Sequence, residues 1–294
     1  MSYTSSHMEP VIEWMKSVKA KQFKTTSLLQ SDVHLTQSGN HYNILFIGES
    51  GSGKTTFIEA LKHYADPQHV LGTEGGSSMV LPSSGFGFSQ IETDLPSFCL
   101  TSTYSDEPVD LKSLSEQMDQ DDYGRELKKS SGYTLYCEPS SLSKARYQLI
   151  DTPGLKYHDS AKYKTACGFL GQIKKLVARL NMIIITVSNS VITSEQRNEL
   201  QMALAGLDAF KAQVVFVHTN VDYVKLHPGD VKFASVYEEK KSILRGLMGG
   251  DWGAVKHFVI DNKAGFEENA RACITQNTLR ELLLLAQSNK QVTL

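Results

Sequence analysis

The chain has 294 residues, with 30 Lys+Arg against 32 Asp+Glu and a formal net charge of −2. That near-balance argues against a protein that coats nucleic acid by charge alone. With 40% hydrophobic and 21% charged residues, the composition is that of a folded chain with a substantial core, not of a disordered one.

The longest apolar runs, such as Met182 to Ile185 and Leu282 to Ala286, fall far short of the roughly 20 residues that a membrane-spanning helix needs. The N-terminus carries no apolar stretch suited to a secretory signal. Neither Ser2 nor the closing Gln291-Val292-Thr293-Leu294 offers a lipidation site. Four scattered cysteines, Cys99, Cys137, Cys167 and Cys273, include no C-x-x-C pair. A zinc knuckle or disulfide framework is therefore not expected, and the expected compartment is the reducing cytosol.

Residues 1–40 form a polar extension. Within it Val11, Ile12, Met15 and Val18 fall at helical spacing, interleaved with Lys16, Lys19, Lys21 and Lys24. Two readings fit this pattern: a surface helix docked by one apolar edge, or a helix that meets a membrane surface or a second copy. A domain over 41–294 follows.

It opens with a predicted strand, Asn43 to Ile47, a glycine-rich turn and a predicted helix, Thr55 to Tyr64. From about 67 to 131, clustered Gly and Ser, several prolines and an acidic run from Asp106 to Glu126 predict a long, largely irregular insertion. Two short strands are then expected, Thr134 to Glu138 and Arg146 to Ile150, joined by a serine-rich turn. A helix over Ala166 to Leu180 and an apolar strand over Met182 to Val187 come next. A helix over Thr193 to Leu207 follows, with Thr193 and Gln196 spaced as a capping box. The remaining elements are a strand at Val214 to Val217, a helix at Val236 to Leu247, a strand at His257 to Ile260 and a closing helix at Asn269 to Gln287. Buried apolar strands alternating with helices predict an α/β fold with a mainly parallel sheet covered on both faces.

Four motifs carry chemistry. The first is Gly48-Glu49-Ser50-Gly51-Ser52-Gly53-Lys54-Thr55, G-x-x-x-x-G-K-T between a strand and a helix. Its glycines let successive backbone N–H groups turn inward onto phosphate oxygens, and the helix N-terminus adds partial positive charge. Lys54 is expected to reach the β- and γ-phosphates and Thr55 to ligate Mg²⁺, a hard cation that prefers oxygen. Glu49 to Gly53 and Thr56 complete the phosphate-side candidates.

The second motif, Asp151-Thr152-Pro153-Gly154, follows a strand. Asp151 is placed to hold Mg²⁺ and Gly154 to bring a backbone N–H to the γ-phosphate. Third, Thr219-Asn220-Val221-Asp222 sits at a strand tip, where Asp222 can accept both N1–H and N2–H₂ of guanine, a pair of donors that adenine lacks. Fourth, Asn262 and Lys263 follow the last short strand, where an amide group could meet guanine O6.

In this order the motifs resemble the GTPases related to septins, the chloroplast-import Toc receptors and the immunity-associated GIMAP proteins. The stretch Val191-Ile192-Thr193-Ser194-Glu195-Gln196 before a helix, and Asn262-Lys263-Ala264, add to the likeness. The resemblance covers roughly 42–285 apart from the insertion. It implies a G domain with a six-stranded sheet, GTP or GDP with Mg²⁺ as ligands, and pairing of two G domains across the nucleotide face.

It also implies a threonine from the segment called switch I, meeting Mg²⁺ and the γ-phosphate. Thr134 is the leading candidate, with Thr73, Thr101 and Thr103 as rivals. Two positions depart from the commoner GTPase pattern. Asn220 stands where a lysine stem usually covers the base. Leu155 stands where a glutamine often positions the attacking water. Both predict a slow or weakly selective site.

Three functions remain open on the sequence: a slow GTPase switch working through an effector that the sequence does not identify, a nucleotide-binding scaffold with little turnover, and an ATP-using enzyme such as a small-molecule kinase. No arginine-rich lid segment favours the kinase.

Overall fold

The structure is a computed structural model that describes residues 41–69, 86–102, 133–155, 166–175, 177–188, 201, 204, 207–219, 241–246, 255–260 and 270–294. Its centre is a sheet of six strands: β1 (His41–Gly48), β2 (Gly87–Thr93), β5 (Ala145–Asp151), β7 (Met182–Ser188), β8 (Val214–Thr219) and β9 (His257–Val259), in the order β2-β5-β1-β7-β8-β9. All neighbours are parallel except β2, an antiparallel edge strand on β5.

Alternation along β1 explains the layering. Ile44 and Phe46 face helix α1 (Lys54–Ala65) and helix α3 (Ala270–Ser288), packing with Phe57, Leu61, Leu279 and Leu283. Leu45 and Ile47 face the other way, onto Phe169 and Ile173 of helix α2 (Ala166–Ile173), Leu204 and Leu244. With apolar residues on both faces, β1 can be stable only under helices on both sides, as parallel strands require. The covered, mainly parallel sheet expected from the sequence is therefore present. No helix among the described residues is long and apolar enough to cross a membrane.

The segment 67–131 is not irregular throughout. It contains β2 and a further strand, β3 (Ser97–Ser102). The Gly and Ser content of Ser83 to Ser89 hides an alternating pattern in which Phe86 and Phe88 pack on one core layer and Ile91 on the other. Strand β4 (Tyr133–Glu138) does not form a hairpin with β5. It pairs antiparallel with β3 in a separate two-stranded sheet. Asn277 of α3 clamps the free edge of β3, its Oδ1 accepting from Phe98 N at 3.0 Å while its Nδ2 donates to Phe98 O at 2.5 Å.

The helix expected over 166–180 ends at Ile173. Arg179–Leu180 (β6) instead pairs antiparallel with Val292–Thr293 (β10). The expected helices over 193–207 and 236–247 are helical where they are described, at 201, 204 and 241–246, except that Leu207 opens a 3₁₀ helix, Leu207–Gln213.

This topology places the extra chain. Gly87 pairs with Asp151 and Thr93 with Ala145, so β2 begins at the Asp151 end of the sheet and finishes at the opposite end. Only 66–86 joins α1 to β2. The excursion through β3 and β4 leaves β2 and returns to β5 at the end remote from the glycine-rich loop.

Candidate functional site

Because β1, β5, β7, β8 and β9 are parallel, their C-terminal ends share one edge of the sheet, where ligands bind in open α/β folds. The glycine-rich loop lies there. Gly51 and Gly53 have φ of 80° and 82°, left-handed values that L side chains rarely adopt. Gly48 is fixed by space: a Cβ there would lie 2.2 Å from Thr186 Oγ1 and 2.6 Å from Thr186 O. Gly48→Ala is expected to cost about 3 kcal/mol, the upper part of the usual overpacking range, read as a lowered Tm. An unchanged Tm would show that the loop yields freely.

Lys54 is only 6% exposed and donates from Nζ to Gly48 O and Glu49 O, each at 3.2 Å. The stem therefore folds back under the loop, and the ammonium lies along the cradle. Burial pushes its pKa below the ordinary lysine value, while Asp151 and Glu49 oppose the shift. The first turn of α1 contains no acidic side chain, so nothing there offsets the positive end of the helix dipole.

Thr55 donates from Oγ1 to Asp151 Oδ2 at 3.2 Å, joining the helix start to the tip of β5. A hydroxyl and a carboxylate converging in this way fit Mg²⁺, which takes few protein ligands and completes its shell with water and phosphate oxygens.

Beyond Asp151 the chain runs against the loop. Thr152 donates to Phe46 O at 2.7 Å. Leu155 N donates to Gly48 O at 2.9 Å, and Ser50 N donates to Leu155 O at 3.3 Å. Gly154 must be glycine for this approach, since a Cβ there would come within 2.6 Å of Ser50 Cα. Leu155 itself is buried in the core layer that holds Phe169.

Thr186, outside the sequence motifs, and Thr219, the first residue of the third, brace the loop from below. Ser52 Oγ and Thr186 Oγ1 lie 2.7 Å apart, and Thr186 also donates to Ile47 O at 3.3 Å. Thr219 Oγ1 donates to Ser52 O, which ties the tip of β8 to the phosphate loop. Thr186 was legible only as the one hydroxyl inside the apolar run Met182 to Val187. Beneath the tip, His218 stacks on His257, with Nε2 and Nδ1 3.1 Å apart.

The structure thus brings together Glu49 to Thr55, Asp151, Gly154 and Thr219. Thr134 lies elsewhere: its backbone pairs with Thr101 in the separate two-stranded sheet. Asn220, Asp222, Asn262, Lys263, Thr73 and Thr103 lie outside the described residues.

A sheet of this order, whose first strand feeds a G-x-x-x-x-G-K-T loop and a helix, has the α/β fold of P-loop nucleotide-binding proteins. No protein-family model matches the sequence, and no curated protein matches it. Among solved structures, Toc33 from Arabidopsis thaliana in complex with GDP and Mg²⁺ is similar at 13% identity and a TM-score of 0.49, covering 98% of this chain and 96% of that one. A dimerization-deficient Toc33 mutant gives 13% identity and a TM-score of 0.48, covering 99% and 96%. The elongation factor SelB from Methanococcus maripaludis, with the GTP analogue GPPNHP, gives 13% and 0.43, covering 86% of this chain and 35% of that one.

Proposed function

We propose that this chain is a guanine-nucleotide switch of the septin, Toc and GIMAP type, which binds GTP or GDP with Mg²⁺ and hydrolyses GTP slowly in the cytosol. The observation that carries the reading is the convergence of Lys54, Thr55, Asp151 and Gly154 on one loop. Lys54 and the inward amides of 49–55 bind the polyphosphate. Thr55 and Asp151 hold Mg²⁺, which when bound neutralises charge on the phosphate oxygens. Thr219 couples the base-reading tip to the loop, and Asp222, three residues on, selects guanine, with Asn262 and Lys263 near the base.

For the switch I threonine, the fold favours Thr73 over Thr134. Thr73 is the only threonine in 66–86, the segment that leads into β2 beside Asp151.

Slow turnover follows from Leu155. Its side chain is 2% exposed and its N–H and C=O are both engaged by the loop, so it cannot orient an attacking water. Phosphoryl transfer depends on positioning and charge stabilisation, and a second copy facing the nucleotide is the proposed source of the missing group. A rate per molecule that rises with protein concentration supports this pairing. A flat, near-zero rate supports the scaffold reading instead.

Base choice is tested by competition between GTP and ATP with Mg²⁺ present. A site built around paired hydrogen bonds rejects a purine lacking the donors by at least about 100-fold. Asp222→Asn is expected to move the preference from guanine to xanthine nucleotides. Equal binding of ATP and GTP by the natural chain would rule out a guanine site and leave the kinase reading.

A further inference from the structure

A pair of buried amides interrupts the apolar face that the sheet turns to α2. On that face Leu45 of β1 and Ile150 of β5 are register partners in the core. Two residues earlier on both strands stand Asn43 and Gln148, also register partners and only 0% and 1% exposed. Their chain neighbours Tyr42, Ile44, Tyr147 and Leu149 all pack in the opposite layer. Side chains alternate along a strand, so both amides lie side by side on the α2 face.

Each amide is oriented by its nitrogen. Asn43 Nδ2 donates to Arg179 O at 2.9 Å, where the chain enters β7. Gln148 Nε2 donates to Ser89 O at 3.1 Å, on the β2 side of β5. A planar amide carries its oxygen on the side away from its nitrogen. Asn43 Oδ1 is thereby turned toward β5 and Gln148 Oε1 toward β1, across one seam. Flipping either amide would set its oxygen against a backbone carbonyl, so the hydrogen bonds fix both orientations. Both oxygens are buried, and neither has a hydrogen-bond donor among the described residues. Such a pair is costly unless a donor stands between them.

We propose that a single buried water bridges Asn43 Oδ1 and Gln148 Oε1 across the β1–β5 seam. Water supplies two O–H donors for two acceptors, and side chains this closed admit nothing larger. A cation fits poorly. The seam offers two neutral oxygens, and the charged residues next along the strands, Arg146 and Arg179, are positive, with Glu92 already paired to Arg146 at 3.2 Å. A third buried atom without a partner, His41 Nε2, lies on the same face two residues before Asn43. Burial and the Arg146 guanidinium hold that imidazole below the ordinary histidine pKa, so it is neutral and can donate to the water oxygen from Nε2–H. Leu45 and Ile150 seal the side toward the phosphate loop, so the water exchanges only when the seam opens. It ties the strand that ends in the glycine-rich loop to the strand that ends in Asp151. The inference does not depend on which nucleotide binds.

The test is a high-resolution crystal structure of the full chain, which is expected to show one solvent peak at about 2.8 Å from both oxygens. In solution, magnetic relaxation dispersion of water counts internal waters of long residence, and Gln148→Leu is expected to lower that count by about one. If Gln148→Leu does not fold, the crystal structure of the natural chain decides alone. A protein N–H within hydrogen-bond reach of either oxygen would overturn the proposal. So would the two oxygens with no peak between them, a peak ringed by the roughly six oxygens that a hard cation takes, or an unchanged count in folded Gln148→Leu chain.

Discussion

Lys54→Ala is expected to weaken nucleotide binding by at least about 100-fold, measured by titration with GDP or a non-hydrolysable GTP analogue. A hydrogen bond to a charged group contributes about 1.5–3 kcal/mol, and the buried ammonium serves more than one phosphate oxygen. The variant should fold, because Lys54 is held at a desolvation cost that alanine does not incur. Affinity within threefold of the natural chain would remove Lys54 from the site.

The pH dependence has a definite sign. Burial lowers the Lys54 pKa from 10.5, and a bound polyphosphate favours the ammonium. Nucleotide affinity should therefore fall as pH rises through a window that opens below the ordinary lysine value. Over the same window the unliganded fold gains stability, since its unfolded state binds the extra proton.

Gly154→Ala is expected to act on the third phosphate. A Cβ at 2.6 Å from Ser50 Cα and 2.8 Å from Ser50 N cannot be accommodated by rotating a side chain. The segment 152–155 must move off the loop, breaking the bond from Leu155 N to Gly48 O. Gly154 N–H then no longer reaches the γ-phosphate. Triphosphate affinity should fall about tenfold more than diphosphate affinity, the worth of roughly one hydrogen bond to a charged group. Equal losses for the two ligands would show that Gly154 serves only packing.

Much of the phosphate side was legible in the sequence, because its chemistry is local. A strand, a run of glycines at fixed spacing, a lysine and a hydroxyl must be adjacent in the chain for the loop to work, so Gly48 to Thr55 could be read directly. Asp151 could be placed because a strand preceded it. What stayed hidden depends on pairing between distant segments. Phe86 to Thr93 reads as loop until β5 supplies a partner, and only the resulting position of β2 shows that 66–86, not the segment before Thr134, joins α1 to the edge strand. The role of Thr186 was hidden for the same reason: it braces Ser52 from a strand 134 residues away. The serine-rich turn suggested a β4–β5 hairpin. A competing partner, β3, won because Phe98 and Cys137 bury their side chains together in the layer under α3.

The most direct measurement is the identity of nucleotide released when the purified, undialysed chain is denatured and the supernatant is separated by ion-exchange chromatography, with a GTP titration of the stripped protein beside it. The account predicts GDP or GTP in the supernatant and Mg²⁺-dependent rebinding of both. An adenine nucleotide in its place, or a stripped chain that takes up no guanine nucleotide, would contradict it.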